Sequence, residues 1–126
     1  MSKRVLIVED EPPELRALVD KFSREGFEAL EAKNGEEGLN LALETHPDLI
    51  LLDIVMPKMD GLTMLKKLRE DEWGRGVPVI VLTNLSDGDK ARDAIYHGVY
   101  DYLVKADWKL EDVIKKVKEW LSMDNV

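Results

Sequence analysis

A doubly wound α/β fold, with a parallel sheet between layers of helices, is what this sequence predicts, and three observations carry it. Five short apolar runs alternate with longer amphipathic stretches. Three of those runs are unbroken quartets of Val, Ile and Leu, the pattern of strands buried on both faces of a parallel sheet. No Pro/Gly/Ser-rich linker, low-complexity segment or internal repeat interrupts the alternation, so one β-then-α series occupies the whole chain, with right-handed crossovers.

The quartets are Val5–Val8, Leu49–Leu52 and Val79–Leu82. Two shorter or more mixed runs, Ala29–Leu30 and Tyr102–Val104, suit edge strands. Between the runs, Leu15, Leu18, Val19 and Phe22 recur at i, i+3, i+4 and i+7 and predict the first helix, with Pro12 in its first turn where a missing N–H costs nothing. Leu39, Ala42 and Leu43 predict a second helix, and Leu62, Leu65 and Leu68, with Met64 beside them, a third. Leu110, Val113, Ile114, Val117 and Leu121 predict the last. Asn34-Gly35 and Asp60-Gly61 are the expected helix entries. The fourth helix, roughly Asp87 to His97, offers only Ala91, Ala94 and Ile95 as an apolar face. It is read equally as a moving part of low local stability or as a small helix on a crowded flank.

The chain has 126 residues, 44% of them hydrophobic, which is the size of one domain with a proper core. The absence of cysteine excludes disulfides, thiolate metal sites and cysteine nucleophiles. Only four apolar residues separate Lys3-Arg4 from Glu9, too few for a signal-peptide core or a membrane span, so the expected location is the cytoplasm. A net charge of −8 argues against direct nucleic-acid binding and against an anionic membrane surface.

Ligand sites in open α/β sheets form beyond the carboxyl ends of the strands. Those ends carry Glu9-Asp10, Asp53, Thr83 and Lys105. Singly, an acid can cap the first helix, Thr83 suits a strand, and Lys105 suits a surface. Asp53 is harder to set aside, because it follows four apolar residues and a lone carboxylate there carries a desolvation cost. Two like charges 4 Å apart repel by roughly 4 kcal/mol at an effective dielectric near 20. Three carboxylates therefore call for a cation, and Lys105 with a divalent ion supplies three positive charges against three negative. All-oxygen donors favour a hard ion, and Mg²⁺ suits few carboxylates, retained water and a phosphate. An aspartate can act as a nucleophile and form an acyl phosphate, with Lys105 and the Thr83 hydroxyl holding the other phosphoryl oxygens.

In this order the residues resemble the response-regulator receiver domains of two-component signalling. The matching pieces are Val8-Glu9-Asp10-Glu11, Pro47 through Pro57, Met59-Asp60-Gly61-Leu62, Val81-Leu82-Thr83 and Gly98 through Lys105. The resemblance implies a single receiver domain over residues 1–126 with a flavodoxin-like (β/α)5 fold, strand order 2-1-3-4-5. It implies Asp53 as phospho-acceptor, Asp10 as a direct Mg²⁺ ligand, Glu9 as a ligand directly or through water, and the Val55 backbone carbonyl completing the protein ligands. Lys105 would pair with the phosphoryl group, Thr83 would move toward it, and Tyr102 would rotate inward behind Thr83; the rival reading of Tyr102 is a strand aromatic packed permanently. The implied donor is a phosphohistidine on a histidine kinase or histidine phosphotransfer protein. The implied output is an effector docking on the fourth helix, fifth strand and fifth helix, from a monomer or a phosphorylation-dependent dimer.

Three positions depart from the family pattern. Ala106 stands where proline usually follows the lysine, so the loop after the fifth strand is expected to take another path or to move more. Asn84 replaces a small residue and is expected to narrow access, while Val99 for alanine is a packing change. Trp73, Trp108 and Trp120 read as packing or surface anchors, and His46 and His97 as structural or exposed.

Other uses of such a site fit less well. Phosphatases with an aspartate nucleophile need a second aspartate two residues on, where this chain has Val55. No G-x-x-x-x-G-K-[ST] loop, G-x-G-x-x-G turn or hydroxyl-rich flavin loop is present. A receiver-like scaffold regulated by docking alone would be expected to lose Asp53 or Lys105, and both are kept.

Overall fold

A computed structural model describes residues 2–85 and 87–122; residue 86 and residues 1 and 123–126, which the single-domain expectation includes, lie outside the described residues. Strands β1 (Arg4–Val8), β2 (Glu28–Ala32), β3 (Leu49–Leu52), β4 (Val79–Thr83) and β5 (Asp101–Val104) form one sheet. Its order is β2-β1-β3-β4-β5 and every pairing is parallel, as the sequence predicts, with the two mixed runs at the edges.

Helices α1 (Pro12–Arg24), α2 (Gly35–Thr45), α3 (Gly61–Glu70), α4 (Gly88–Tyr96) and α5 (Leu110–Trp120) connect and flank the strands. Side chains alternate across a strand, so each quartet feeds two cores. Val5, Ile7, Leu49, Leu51 and Ile80 meet Leu18 and Phe22 of α1 and Val113 and Val117 of α5 on one face. Leu6, Val8, Ile50, Leu52, Val79 and Val81 meet Ala42 of α2, Leu65 and Leu68 of α3 and Ala94 of α4 on the other. Full burial of such a side chain stabilises the fold by about 1.5–3 kcal/mol. Among the described residues, no helix is long and apolar enough to cross a membrane.

The helix entries form as read: the Asn34 side chain accepts from the Glu37 N–H and the Asp60 side chain from the Thr63 N–H, at 2.9 Å each. Two helix faces differ from their patterns. In α2 the buried residues are Gly35, Gly38 and Ala42, while Leu43 is 37% exposed. A Cβ on Gly38 would lie 2.9 Å from a Val8 methyl, so α2 seats on β1 through its small residues and turns Leu43 outward. In α4 only Ala94 is buried, with Ile95 59% exposed, so its apolar face is thinner still than the sequence suggested.

Ala106 lies in the segment that joins β5 to α5. No cis peptide bond occurs among the described residues, and Lys105–Asp107 forms a short 3-10 turn into α5. The tryptophans anchor surfaces: Trp73 stacks on His46 with centroids 4.1 Å apart, and Trp120 Nε1 donates to Asp101 at 2.6 Å.

Candidate functional site

Parallel order delivers the ends of β1, β3, β4 and β5 to one edge of the sheet, and each end carries a polar residue. The Glu9 N–H donates to the Ala32 carbonyl and the Asp53 N–H to the Val8 carbonyl, both at 3.0 Å, so the ladder runs up to the first acid and the backbone below each is fixed. Gly61 closes in from α3. Its N–H donates to the Ile54 carbonyl at 2.9 Å, and a Cβ there would lie 2.3 Å from the Asp53 carbonyl oxygen. Only glycine lets α3 start this close to Asp53.

Glu9 and Asp53 are buried, 2% and 7% exposed, and Thr83 is fully buried. Glu9, Asp10 and Asp53 each present a carboxylate oxygen within 4.8 Å of the others, an all-oxygen set that can hold a hard divalent cation. Asp53 Oδ1 accepts from the Val55 N–H at 3.2 Å, and the Leu85 N–H donates to Thr83 Oγ1 at 3.2 Å. Asp10, Asp53, Val55, Asn84 and Lys105 line one open cleft of ≈ 290 Å³. Asn84 is exposed on its rim, the position from which a larger side chain restricts entry.

Lys105 Nζ sits inside the acid set. It donates to Glu9 Oε1 at 2.7 Å, Glu14 Oε1 at 2.6 Å and Asp53 Oδ2 at 3.3 Å. Burial works against its charge, but hydrogen bonds to Glu14 and Glu9 and the field of Asp53 outweigh it and hold the ammonium well above its ordinary pKa. Burial pushes the Glu9 carboxyl up despite the Lys105 hydrogen bond, and the nearby Asp53 charge adds to the rise. Four carboxylates thus face one ammonium, a larger excess of negative charge than the three acids foreseen.

Glu14 is the residue the sequence reading missed. The clue was its place in the first turn of α1, where side chains lean back over the turn before them and so toward the carboxyl edge of β1. Tyr102 stands on β5 with its hydroxyl donating to the Leu85 carbonyl at 2.8 Å, and its ring is half-buried against the core that contains Ala94. Burial pushes its phenol pKa up, helped by Asp87 and Asp53. His46 and His97 lie outside the site: His46 ends α2, and His97 ends α4 with its carbonyl accepting from Arg69.

Comparison with known proteins places this geometry. The family model described as the response regulator receiver domain matches residues 5–118. The polar-differentiation response regulator DivK of Brucella ovis is 36% identical over 123 residues, 97% of this chain and 98% of DivK. The regulatory protein AtoC of Escherichia coli (strain K12) is 41% identical over 102 residues, 81% of this chain, and the chain spans about a fifth (22%) of AtoC's length. A solved structure of the receiver domain of the sensor histidine kinase PA1611 from Pseudomonas aeruginosa PAO1, with a magnesium ion coordinated in its active-site cleft, superposes with a TM-score of 0.87. It is 25% identical and covers 97% of this chain and 99% of that one. Fold, edge chemistry and relatives agree: the chain belongs to the response regulator receiver domain family.

Proposed function

We propose that Asp53 is the residue of this receiver domain that accepts the phosphoryl group, and that residues 1–126 act as one unit. Receiver domains are the phospho-accepting switches of two-component signalling. The observation that carries the assignment to Asp53 is its Oδ2, 3.3 Å from Lys105 Nζ and within reach of the Glu9 and Asp10 carboxylates on an open cleft.

An Asp53 carboxylate oxygen attacks the phosphorus of a phosphohistidine on a histidine kinase or histidine phosphotransfer protein. The new O–P bond forms as the P–N bond breaks, and the electron pair leaves on the imidazole nitrogen, which takes a proton from water. Lys105 and the Thr83 hydroxyl hold phosphoryl oxygens, and attack of water on the acyl phosphate returns Asp53. Glu9, Asp10, Asp53 and the Val55 carbonyl would hold Mg²⁺, which supplies charge neutralisation for the carboxylates and the transferred group.

The added charge at Asp53 biases Thr83 and the β4–α4 segment, and Tyr102 follows. An effector protein then docks on the α4-β5-α5 face, where Ile95, Tyr96 and Trp120 are exposed. The setting of this relay is the cytoplasm, and the domain works as a monomer or as a dimer formed on phosphorylation.

Intact mass after incubation with acetyl phosphate tests the assignment. One added phosphoryl group that requires Mg²⁺ and disappears in Asp53→Asn is the expected result. Addition that persists in Asp53→Asn, or in chelator, overturns it.

A further inference from the structure

The shortest of the three Lys105 contacts runs to neither residue at the strand ends. It runs to Glu14, 91 residues away in sequence, at 2.6 Å, against 3.3 Å to Asp53. A first-turn acid is explained on its own by the positive end of the helix dipole. That role asks for a charge near the N-terminus and does not require contact with a particular ammonium.

Glu14 and Lys105 also line two hollows at once. One is the open cleft beside Asp53, and the other is a smaller cavity of ≈ 190 Å³ lined by Leu18, Leu82, Trp108 and Val113. Their ion pair is common to both linings. The Lys105 contact also holds the Glu14 carboxyl below the usual carboxylate range, despite burial.

We propose that Glu14 is a positioning residue that competes with the phosphoryl group for Lys105, so that the lysine must leave Glu14 when Asp53 is phosphorylated. The proposal rests on the reading of Asp53 as acceptor and Lys105 as phosphoryl partner. An ammonium has three donors, and here they are committed to Glu9, Glu14 and Asp53. A phosphoryl oxygen recruits Lys105 by displacing one of them. Glu14 is the one that yields, because it is the most exposed of the three carboxylates and water can take over its solvation. The acid on α1 therefore sets how readily the phosphorylated state forms and how long it lasts, without touching the phosphoryl group.

The test titrates beryllofluoride, a tetrahedral phosphoryl mimic for carboxylates, with Mg²⁺ present, and reads intrinsic tryptophan fluorescence. Wild type is compared with Glu14→Gln, Glu11→Gln, Lys105→Met and the Glu14→Gln/Lys105→Met double variant. Glu11 lines the same cleft and its carboxyl meets that of Glu14 without an ion pair to Lys105, so its neutralisation removes a cleft charge while keeping the Glu14 carboxylate that holds the lysine. Expected is binding roughly 3- to 10-fold tighter in Glu14→Gln, what one half-exposed charged hydrogen bond contributes. Glu11→Gln should change it less, and Glu14→Gln should add nothing once Lys105 is Met. In metal-free protein, acylation of Lys105 by sulfo-NHS acetate, read by peptide mass spectrometry, should rise several-fold in Glu14→Gln and stay unchanged in Glu11→Gln. Equal effects of the two glutamate variants, or a Glu14→Gln effect that survives Lys105→Met, overturn the competition while leaving the acceptor reading intact. No beryllofluoride binding to wild type overturns the acceptor reading and the competition together.

Discussion

Asp53 carries two conflicting duties that show up in the energetics of a single side chain. As the proposed acceptor it attacks phosphorus as a carboxylate, yet it sits 7% exposed beside Glu9 and Asp10. Lys105 offsets one charge of that cluster, and Glu14 draws the same ammonium outward. The metal-free site is therefore a place where function holds stability down. Asp53→Asn keeps the shape and removes one charge, so we expect it to raise metal-free stability by about 1 kcal/mol, a fraction of the pairwise repulsion near 4 Å. The same substitution should abolish the gain from Mg²⁺, which for wild type is about 1.4 kcal/mol at ten times the dissociation constant. Urea unfolding of both proteins with Mg²⁺ and with chelator checks the pair; equal Mg²⁺ gains would remove Asp53 from the ligand set.

At the scale of elements, the helices are held to the sheet by different means, and this explains which parts were legible in the sequence. The stripes of α1, α3 and α5 are large aliphatic residues at helical spacing, and those helices bury the faces predicted. The α2 stripe failed at Leu43 because small residues decide which face approaches a strand, and periodicity counts only large ones. In α4 the thin face read from Ala91, Ala94 and Ile95 held only at Ala94, and the helix is tied at one end by a long-range cation. The Arg69 guanidinium, on α3, donates to the carbonyls of His97, Gly98, Gly74 and Val77 at 2.7–2.9 Å. Glu14 escaped for the same reason, its partner being 91 residues distant. Arg69→Met should cost about 2–3 kcal/mol, from lost charged hydrogen bonds and carbonyls left short of donors. Its amide exchange should quicken most in α4. A second tie, Lys118 to Glu25 at 3.0 Å, joins α5 to the end of α1. Lys118 holds the Glu25 carboxyl below the usual carboxylate range. A depressed carboxylate adds stability above its ordinary pKa and loses it as pH falls through the folded-state value. Lys118→Met should therefore lower Tm slightly at neutral pH and match wild type once acid has protonated Glu25. A Tm gap that persists in acid would assign the effect to lost packing of the lysine stem.

Across the whole molecule, the proposed metal ligands and the thinly packed α4 belong to different levels of the same stability hierarchy. Glu9, Asp10 and Asp53 close off β1 and β3, central strands whose quartets are almost completely buried on both faces. Opening those strands means global unfolding. By contrast, α4 buries only Ala94 and sits beyond β4, so it can open while the acid edge stays intact. Mg²⁺ held at that edge, as proposed, would stabilise only against openings that destroy the site. Hydrogen exchange with and without Mg²⁺ should separate the two levels. Amides of β1, β3 and β4 should slow by the full factor by which Mg²⁺ stabilises the fold, about tenfold at ten times the dissociation constant. Amides of α4 should exchange at the same rate in both conditions. If α4 slows as much as β3, the helix opens only with the whole domain, and a phosphoryl signal would have to move it as part of a global change. If α4 alone stays fast, the fold keeps its chemistry on the rigid edge and its signal on the element least tied to the core.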